Sequence, residues 1–238
     1  MALSPFRAVI FDCDGVLVDS EALGLRTLQL ALREAGVERS PESLFQFTGR
    51  SHGETLAQLE SESGMPLLSG NVAERMDEFY MRLVETDGLN TLPGVRELLS
   101  WLVDYRIPFT LASSGPRRKV LFSLRNAGLA AKFPRFVCGD DVSRAKPAPD
   151  VYLAAAELIG FSPADCLAIE DAPNGIRAAS AAGMQVVGLT STFASDRLSD
   201  ANLVVDSLAI LLSSFENLFA QRPAELGAGN APKQGRMS

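Results

Sequence analysis

Hydrophobic and polar positions fall into two regimes along the chain, with the change near residue 93. Ala8-Val9-Ile10-Phe11 is a short, unbroken apolar run that predicts a buried strand. From residue 21 to 92 the spacing is helical, with no convincing strand. Residues 21–35 place Leu25, Leu28, Leu32 and Ala35 on one face before Gly36, and residues 51–63 also read as a helix. So do residues 71–86, through Met76, Phe79, Tyr80 and Leu83. Beyond Pro93 helices (95–105, 117–127, 150–159, 175–182, 206–219) alternate with strands (109–112, 136–138, 166–169, 186–189, 203–205).

Strands alternating with helices of this size imply an α/β fold, a doubly wound, Rossmann-like parallel sheet. The helical block separates the first strand from the others. It is therefore read as an insertion: residues 1–20 and 93–220 form the α/β core and residues 21–92 a second, small all-helical domain. Residues 221–238, rich in Gly, Ala and Pro, are predicted to be a disordered tail.

Composition narrows the partners. Apolar residues make up 47% of the chain, enough for a sizeable core, yet no apolar run approaches membrane length. Acidic residues outnumber basic ones by 29 to 22, for a net charge of −7, and the basic residues are dispersed. Nucleic acid is therefore not expected as a partner, and neither is a membrane. Cys13, Cys138 and Cys166 are odd in number and show no pairing pattern, which fits reduced thiols and a cytoplasmic location. Met1 leads almost directly into a predicted strand, so no signal peptide is expected. The pattern sets no oligomeric state; a monomer is compatible with it.

In an open parallel sheet, ligands bind beyond the carboxyl ends of the strands. The first predicted strand runs into Asp12 and Asp14 and the second into Ser113-Ser114-Gly115. The third leads to Asp140-Asp141 and then Lys146-Pro147, and the fourth ends at Glu170-Asp171. Two carboxylates at the end of a buried strand are costly without compensation. They ask for a metal, a phosphoryl reaction, or both.

Four segments carry a family resemblance: Asp12-Cys13-Asp14-Gly15-Val16-Leu17-Val18-Asp19-Ser20-Glu21, Leu111-Ala112-Ser113-Ser114, Lys146-Pro147-Ala148-Pro149-Asp150 and Ile169-Glu170-Asp171. In order and position they resemble the motifs of the haloacid dehalogenase superfamily, and most closely its phosphatase and β-phosphoglucomutase branch with a helical cap. The resemblance implies that Asp12 is the nucleophile forming an aspartyl-phosphate and Asp14 the general acid and base. It makes Ser113 and Ser114 phosphoryl contacts and Lys146 the cation between Asp12 and the phosphate. Asp12, Asp14 through its carbonyl, Glu170 and Asp171 would hold Mg²⁺, which favours hard oxygen ligands. An aspartate at position 14 selects phosphate ester chemistry, since the family's dehalogenases and phosphonate-cleaving members do not keep one there.

Gly49-Arg50-Ser51-His52 matches a cap loop that faces the site in these look-alikes, so Arg50 and His52 are candidate substrate contacts. β-Phosphoglucomutases carry a histidine where this chain has Gly24, and an arginine where it has His52; both departures favour hydrolysis. Cys138-x5-Arg144 has the spacing of cysteine-dependent phosphatases, but Asp140 and Asp141 between them would repel a phosphate. Cys138 is read as a buried apolar residue. The expected function is a Mg²⁺-dependent phosphomonoester hydrolase acting on a small phosphorylated metabolite such as a sugar phosphate. A phosphosugar mutase and a non-catalytic phosphometabolite-binding protein are the alternatives.

Overall fold

A computed structural model of the chain describes residues 3–48 and 52–220. Among these, five short strands form one parallel sheet: β1 (Ala8–Phe11), β2 (Phe109–Leu111), β3 (Cys166–Glu170), β4 (Gln185–Leu189) and β5 (Leu203–Val205). Their spatial order is β2-β1-β3-β4-β5. Val9 lies opposite Phe109 on one side and Leu167 on the other. Every residue of β1 and β3 is buried, as strands covered on both faces require.

Alternation assigns the two faces. Val9, Phe11, Leu167, Ile169 and Val187 pack with Leu98, Leu102, Leu124 and Leu211 of helices α5 (Val95–Asp104), α6 (Arg117–Asn126) and α9 (Leu208–Ala220). Ala8, Ile10, Ala168 and Val186 pack on the other side with α7 (Asp150–Ile159) and α8 (Pro173–Ala181). There Ala155, Ala156, Ala178 and Ala179 keep the contact surface small-sided, which lets helix and sheet approach closely. Cys13 prolongs the Val9–Phe11 face into the first cluster, and its neighbours Asp12 and Asp14 turn to the sheet edge.

Between β1 and β2 the chain builds α1 (Glu21–Glu34), α2 (Pro41–Leu44), α3 (His52–Ser63) and α4 (Val72–Asp87). These surround an apolar cluster of their own, including Leu28, Leu32, Leu44, Leu56, Leu59 and Met76. Helix α4 serves both layers: Met76 joins that cluster, while Tyr80 and Val84 join the sheet's. The two chain segments linking the insertion to the sheet run side by side. Val18 bridges Thr91 in antiparallel fashion, Asp19 N–H donates to the Asn90 carbonyl (3.0 Å) and Leu92 N–H to that of Leu17 (3.3 Å).

Two elements differ from the sequence expectation. Residues 136–138 are not a strand: Val137 makes a single parallel bridge to Ala112 and nothing more. Pro134 precedes the segment, and Gly139 after it is pressed on the Ser114 carbonyl, where an added Cβ would lie 2.5 Å away. The stretch between is too short for a ladder, so the sheet has five strands rather than six. Helix α2 was unforeseen; it starts where Ser40 accepts from Ser43 N–H and Pro41 occupies the first helical position. Arg50 and residues 221–238 lie outside the described residues.

Because β2 lies on one side of β1 and β3 on the other, the strand order reverses between β1 and β3, which opens a crevice at their carboxyl ends.

Candidate active site

That crevice collects the acids. Asp12 follows β1 directly, Glu170 is the last residue of β3, and Asp171 comes next. Lys146 reaches in from the loop before α7. Its Nζ donates to Asp12 Oδ1 (2.5 Å), Glu170 Oε1 (2.6 Å) and the Ala112 carbonyl (3.0 Å). Tyr152 on α7 donates its hydroxyl to Glu170 Oε1 (2.7 Å), and the second Glu170 oxygen accepts from Asp171 and Ala172 N–H. All four charged groups are buried.

Carboxylate oxygens of Asp12, Glu170 and Asp171 lie within 4.8 Å of one another. Burial, reinforced by Glu170, raises Asp12 to about 7 even against the pull of Lys146. Burial and the charges of Glu170 and Asp12 push Asp171 well above the usual carboxylate range. Burial alone would lower the Lys146 ammonium, but Asp12 and Glu170 raise it instead, so it stays charged. One ammonium cannot neutralise three clustered carboxylates. The excess of hard oxygen donors fits a divalent cation.

Asp14 is held separately. Ser20 Oγ donates to its Oδ1 (2.6 Å), and Lys119 Nζ on α6 lies 3.2 Å from its Oδ2. Burial would raise this carboxyl, yet Lys119 and the Ser20 hydroxyl hold it below its ordinary value. Ser113 is buried after β2, its Oγ accepting from Gly115 N–H (3.0 Å), and Ser114 beside it is exposed. Asp12, Asp14, Ser113, Ser114, Lys146, Glu170 and Asp171 all line one cavity of about 200 Å³. The insertion supplies the opposite wall, including Gly24, Leu28, Phe47, Met76 and His52. Burial and the Lys119 charge lower His52, so it presents a neutral imidazole at neutral pH. Glu21, also on the wall, is pushed up to about 7 by burial and by Asp14.

Two glycines make this crowding possible. Gly15 has φ +72°, and a Cβ there would fall 2.0 Å from Asp171 Oδ2; at Gly175 it would fall 1.8 Å from Glu170 Oε1. Gly15→Ala is therefore expected to displace Asp171 and add roughly 1–2 kcal/mol of backbone strain. Any activity that depends on the acid cluster should fall sharply, and the melting temperature should drop. Gly24→Ala, whose new methyl meets nothing within 4 Å, is the stability control in the same thermal melts.

Lys119, Tyr152 and Glu21 had no role in the sequence reading. Lys119 is the third member of a basic run, Arg117-Arg118-Lys119, that reads as a solvated helix face, and Tyr152 reads as one more apolar helix position. Only the tertiary approach of α6, α7 and the start of α1 to the strand ends reveals them. Cys138 is fully buried, with its thiol pushed up to about 12 by burial, and Arg144 pairs with Asp150 (2.6 Å), so this pair forms no phosphate cradle.

The family model for haloacid dehalogenase-like hydrolases matches residues 9–189. The validoxylamine A 7'-phosphate phosphatase of Streptomyces hygroscopicus subsp. limoneus is 32% identical over 206 residues, covering 85% of this chain and 94% of that protein. Hexitol phosphatase A of Escherichia coli (strain K12) is 33% identical, covering 85% and 91%. The crystal structure of a hydrolase from Pseudomonas syringae superposes with a TM-score of 0.79 at 30% identity, covering 89% and 98%. Sheet order, the acids gathered at the β1/β3 crevice and these relatives agree: the chain belongs to the haloacid dehalogenase-like hydrolases, among their phosphatases.

Proposed function

We propose that this phosphatase is Mg²⁺-dependent and hydrolyses a small phosphorylated metabolite, such as a sugar phosphate, through an aspartyl-phosphate on Asp12. What carries the reading is that a lysine-paired nucleophile, a separately paired second aspartate and an acid cluster face one small cavity. Asp12, the Asp14 carbonyl and Asp171, with Glu170 directly or through water, would hold the cation. When bound, it offsets the repulsion between phosphate and carboxylate.

An Asp12 oxygen attacks phosphorus, and the bond from phosphorus to the leaving oxygen breaks. Asp14 enters the step carrying the proton it took from water in the preceding turnover and passes that proton to the leaving oxygen. Lys119 and Ser20 favour this release by stabilising its carboxylate. Asp14, now a base, takes a proton from water as the water attacks phosphorus. The Asp12–phosphorus bond breaks and inorganic phosphate leaves. Lys146 holds Asp12 in place and offsets charge, while Ser113 and Ser114 contact the phosphoryl oxygens. Residues 21–92 act as a cap that excludes water and, with His52 and Arg50, selects the leaving group. Gly24 favours hydrolysis over mutase chemistry, because it brings no side chain to the cavity wall. Three free, buried cysteines favour a cytoplasmic setting.

The test is phosphate release from glucose 1-phosphate, glucose 6-phosphate, sorbitol 6-phosphate, phosphoglycolate and 4-nitrophenyl phosphate, with Mg²⁺ or with EDTA. Release is expected with Mg²⁺ and loss of it with EDTA, reversed by added Mg²⁺. Undiminished release in EDTA overturns the metal assignment. Conversion of glucose 1-phosphate to glucose 6-phosphate in the presence of a bisphosphate activator would make the protein a mutase, and no release from any ester a binding protein.

A further inference from the structure

Asp14 is gripped at both oxygens, and one of the two grips comes from a residue outside the four sequence motifs. Lys119 Nζ lies 3.2 Å from Asp14 Oδ2, with 16% of the lysine side chain and 28% of the aspartate exposed. This is not a solvent-screened surface pair of the kind worth little. The lysine is itself seated. Its Nζ lies 4.6 Å from the centroid of the Tyr80 ring, and Tyr80 belongs to α4 of the insertion. Ser123 Oγ donates to the Lys119 carbonyl (3.0 Å), which leaves it to accept from the Tyr80 hydroxyl at 3.0 Å. Helix α4 docked on α6 thus fixes both ends of Lys119.

A proton donor works only when aimed. Misplacement by about 1 Å can cost on the order of 10²-fold in rate. A carboxylate with a single partner can still swing about its Cβ–Cγ bond. Asp14, held by Ser20 at one oxygen and Lys119 at the other, cannot. Each oxygen keeps a second lone pair, on which the transferred proton is carried.

We propose that Lys119 is a positioning residue that fixes the plane of the Asp14 carboxyl for proton transfer to the leaving oxygen, and that the Tyr80 ring of the insertion holds it there. The proposal rests on the reading of Asp14 as proton donor. Lys119 acts through Asp14, and two of its approaches are already taken by the carboxylate and the ring.

The experiment measures kcat/KM of wild type, Lys119→Met, Lys119→Arg and Asp14→Asn. The two substrates are 4-nitrophenyl phosphate, whose nitrophenolate leaves without a proton, and the sugar phosphate turned over best in the panel above. Lys119→Met is expected to lose about 10–100-fold on the sugar phosphate and little on the aryl ester. Lys119→Arg should restore much of the wild-type ratio between the two, and Asp14→Asn should skew it further than Lys119→Met. Equal losses on both substrates, or none on either, would overturn the role of Lys119. So would a further loss on the sugar phosphate when Lys119→Met is added to Asp14→Asn, since a lysine that binds the sugar still matters there while one that acts through Asp14 does not. If Asp14→Asn shows no skew, the proton-donor reading falls and the proposal with it. If Lys119→Met does not fold in thermal melts, Lys119→Gln takes its place in the same comparison.

Discussion

Asp12→Asn should abolish phosphate release, by on the order of 10⁴-fold or more, without lowering the melting temperature. The activity loss follows from chemistry: an amide oxygen is a poor nucleophile toward phosphorus, and no neighbouring carboxylate replaces Asp12, since Glu170 is committed to Lys146, Tyr152 and two backbone N–H groups. The stability result follows from electrostatics. Asp12 is buried among acids and raised to about 7, so its charged form is unfavourable where it sits. A neutral isostere removes one of three crowded charges and leaves Lys146 its bond to Glu170. In metal-free buffer the variant should melt at or above the wild-type temperature. Phosphate release and a thermal melt on the same preparation test both halves, and full retained activity would defeat the nucleophile assignment.

Lys146→Met should also silence the enzyme, but with the opposite effect on stability. Lys146 is the cation shared by Asp12 and Glu170, and the Glu170 side chain is 1% exposed. Removing one partner of a buried ion pair leaves uncompensated charge and costs about 3–5 kcal/mol. For a domain of this size that is a drop of about 6–20 °C in melting temperature. The pair of variants therefore separates two readings of the same bond. If Lys146 served the chemistry alone, both would melt like the wild type in EDTA. If it also balances the charge of the crevice, Lys146→Met melts well below Asp12→Asn.

The α/β alternation and the helical stretch between the first two strands were legible because both are written in local periodicity. Asp12, Ser113 and Glu170-Asp171 were legible because each follows or ends a strand, and a parallel sheet sends those ends to one edge; Lys146 reaches the same edge from the loop before α7. What escaped was set by tertiary approach. Residues 136–138 carry strand-forming side chains, but Pro134 and the close contact at Gly139 leave room for one bridge only. Lys119 belongs to a basic helix start that reads as solvent-facing until α4 closes over it and Asp14 comes within reach. Tyr152 had no signal at all, because an aromatic in an apolar helix reads as core, and it is core except for its hydroxyl. The chemical groups at strand ends could be read one at a time; their partners on neighbouring helices could not.

The side-by-side segments at Val18 and Thr91 are the only covalent route between the sheet and the helices inserted after β1. Two such segments, hydrogen-bonded to each other, join the layers as a door is hung on its frame. The register of β1 against β3 is set by their own ladder, Ala8 opposite Cys166 to Phe11 opposite Ile169, and not by the residues between them. A helical block from another protein, spliced at that doorway, would meet the same Asp12, Lys146 and Asp171 but would have to bring its own partner for Lys119 in place of the Tyr80 ring. The catalytic edge of the sheet and the inserted helices are thus joined twice in this chain, covalently at this doorway and non-covalently where Tyr80 meets Lys119.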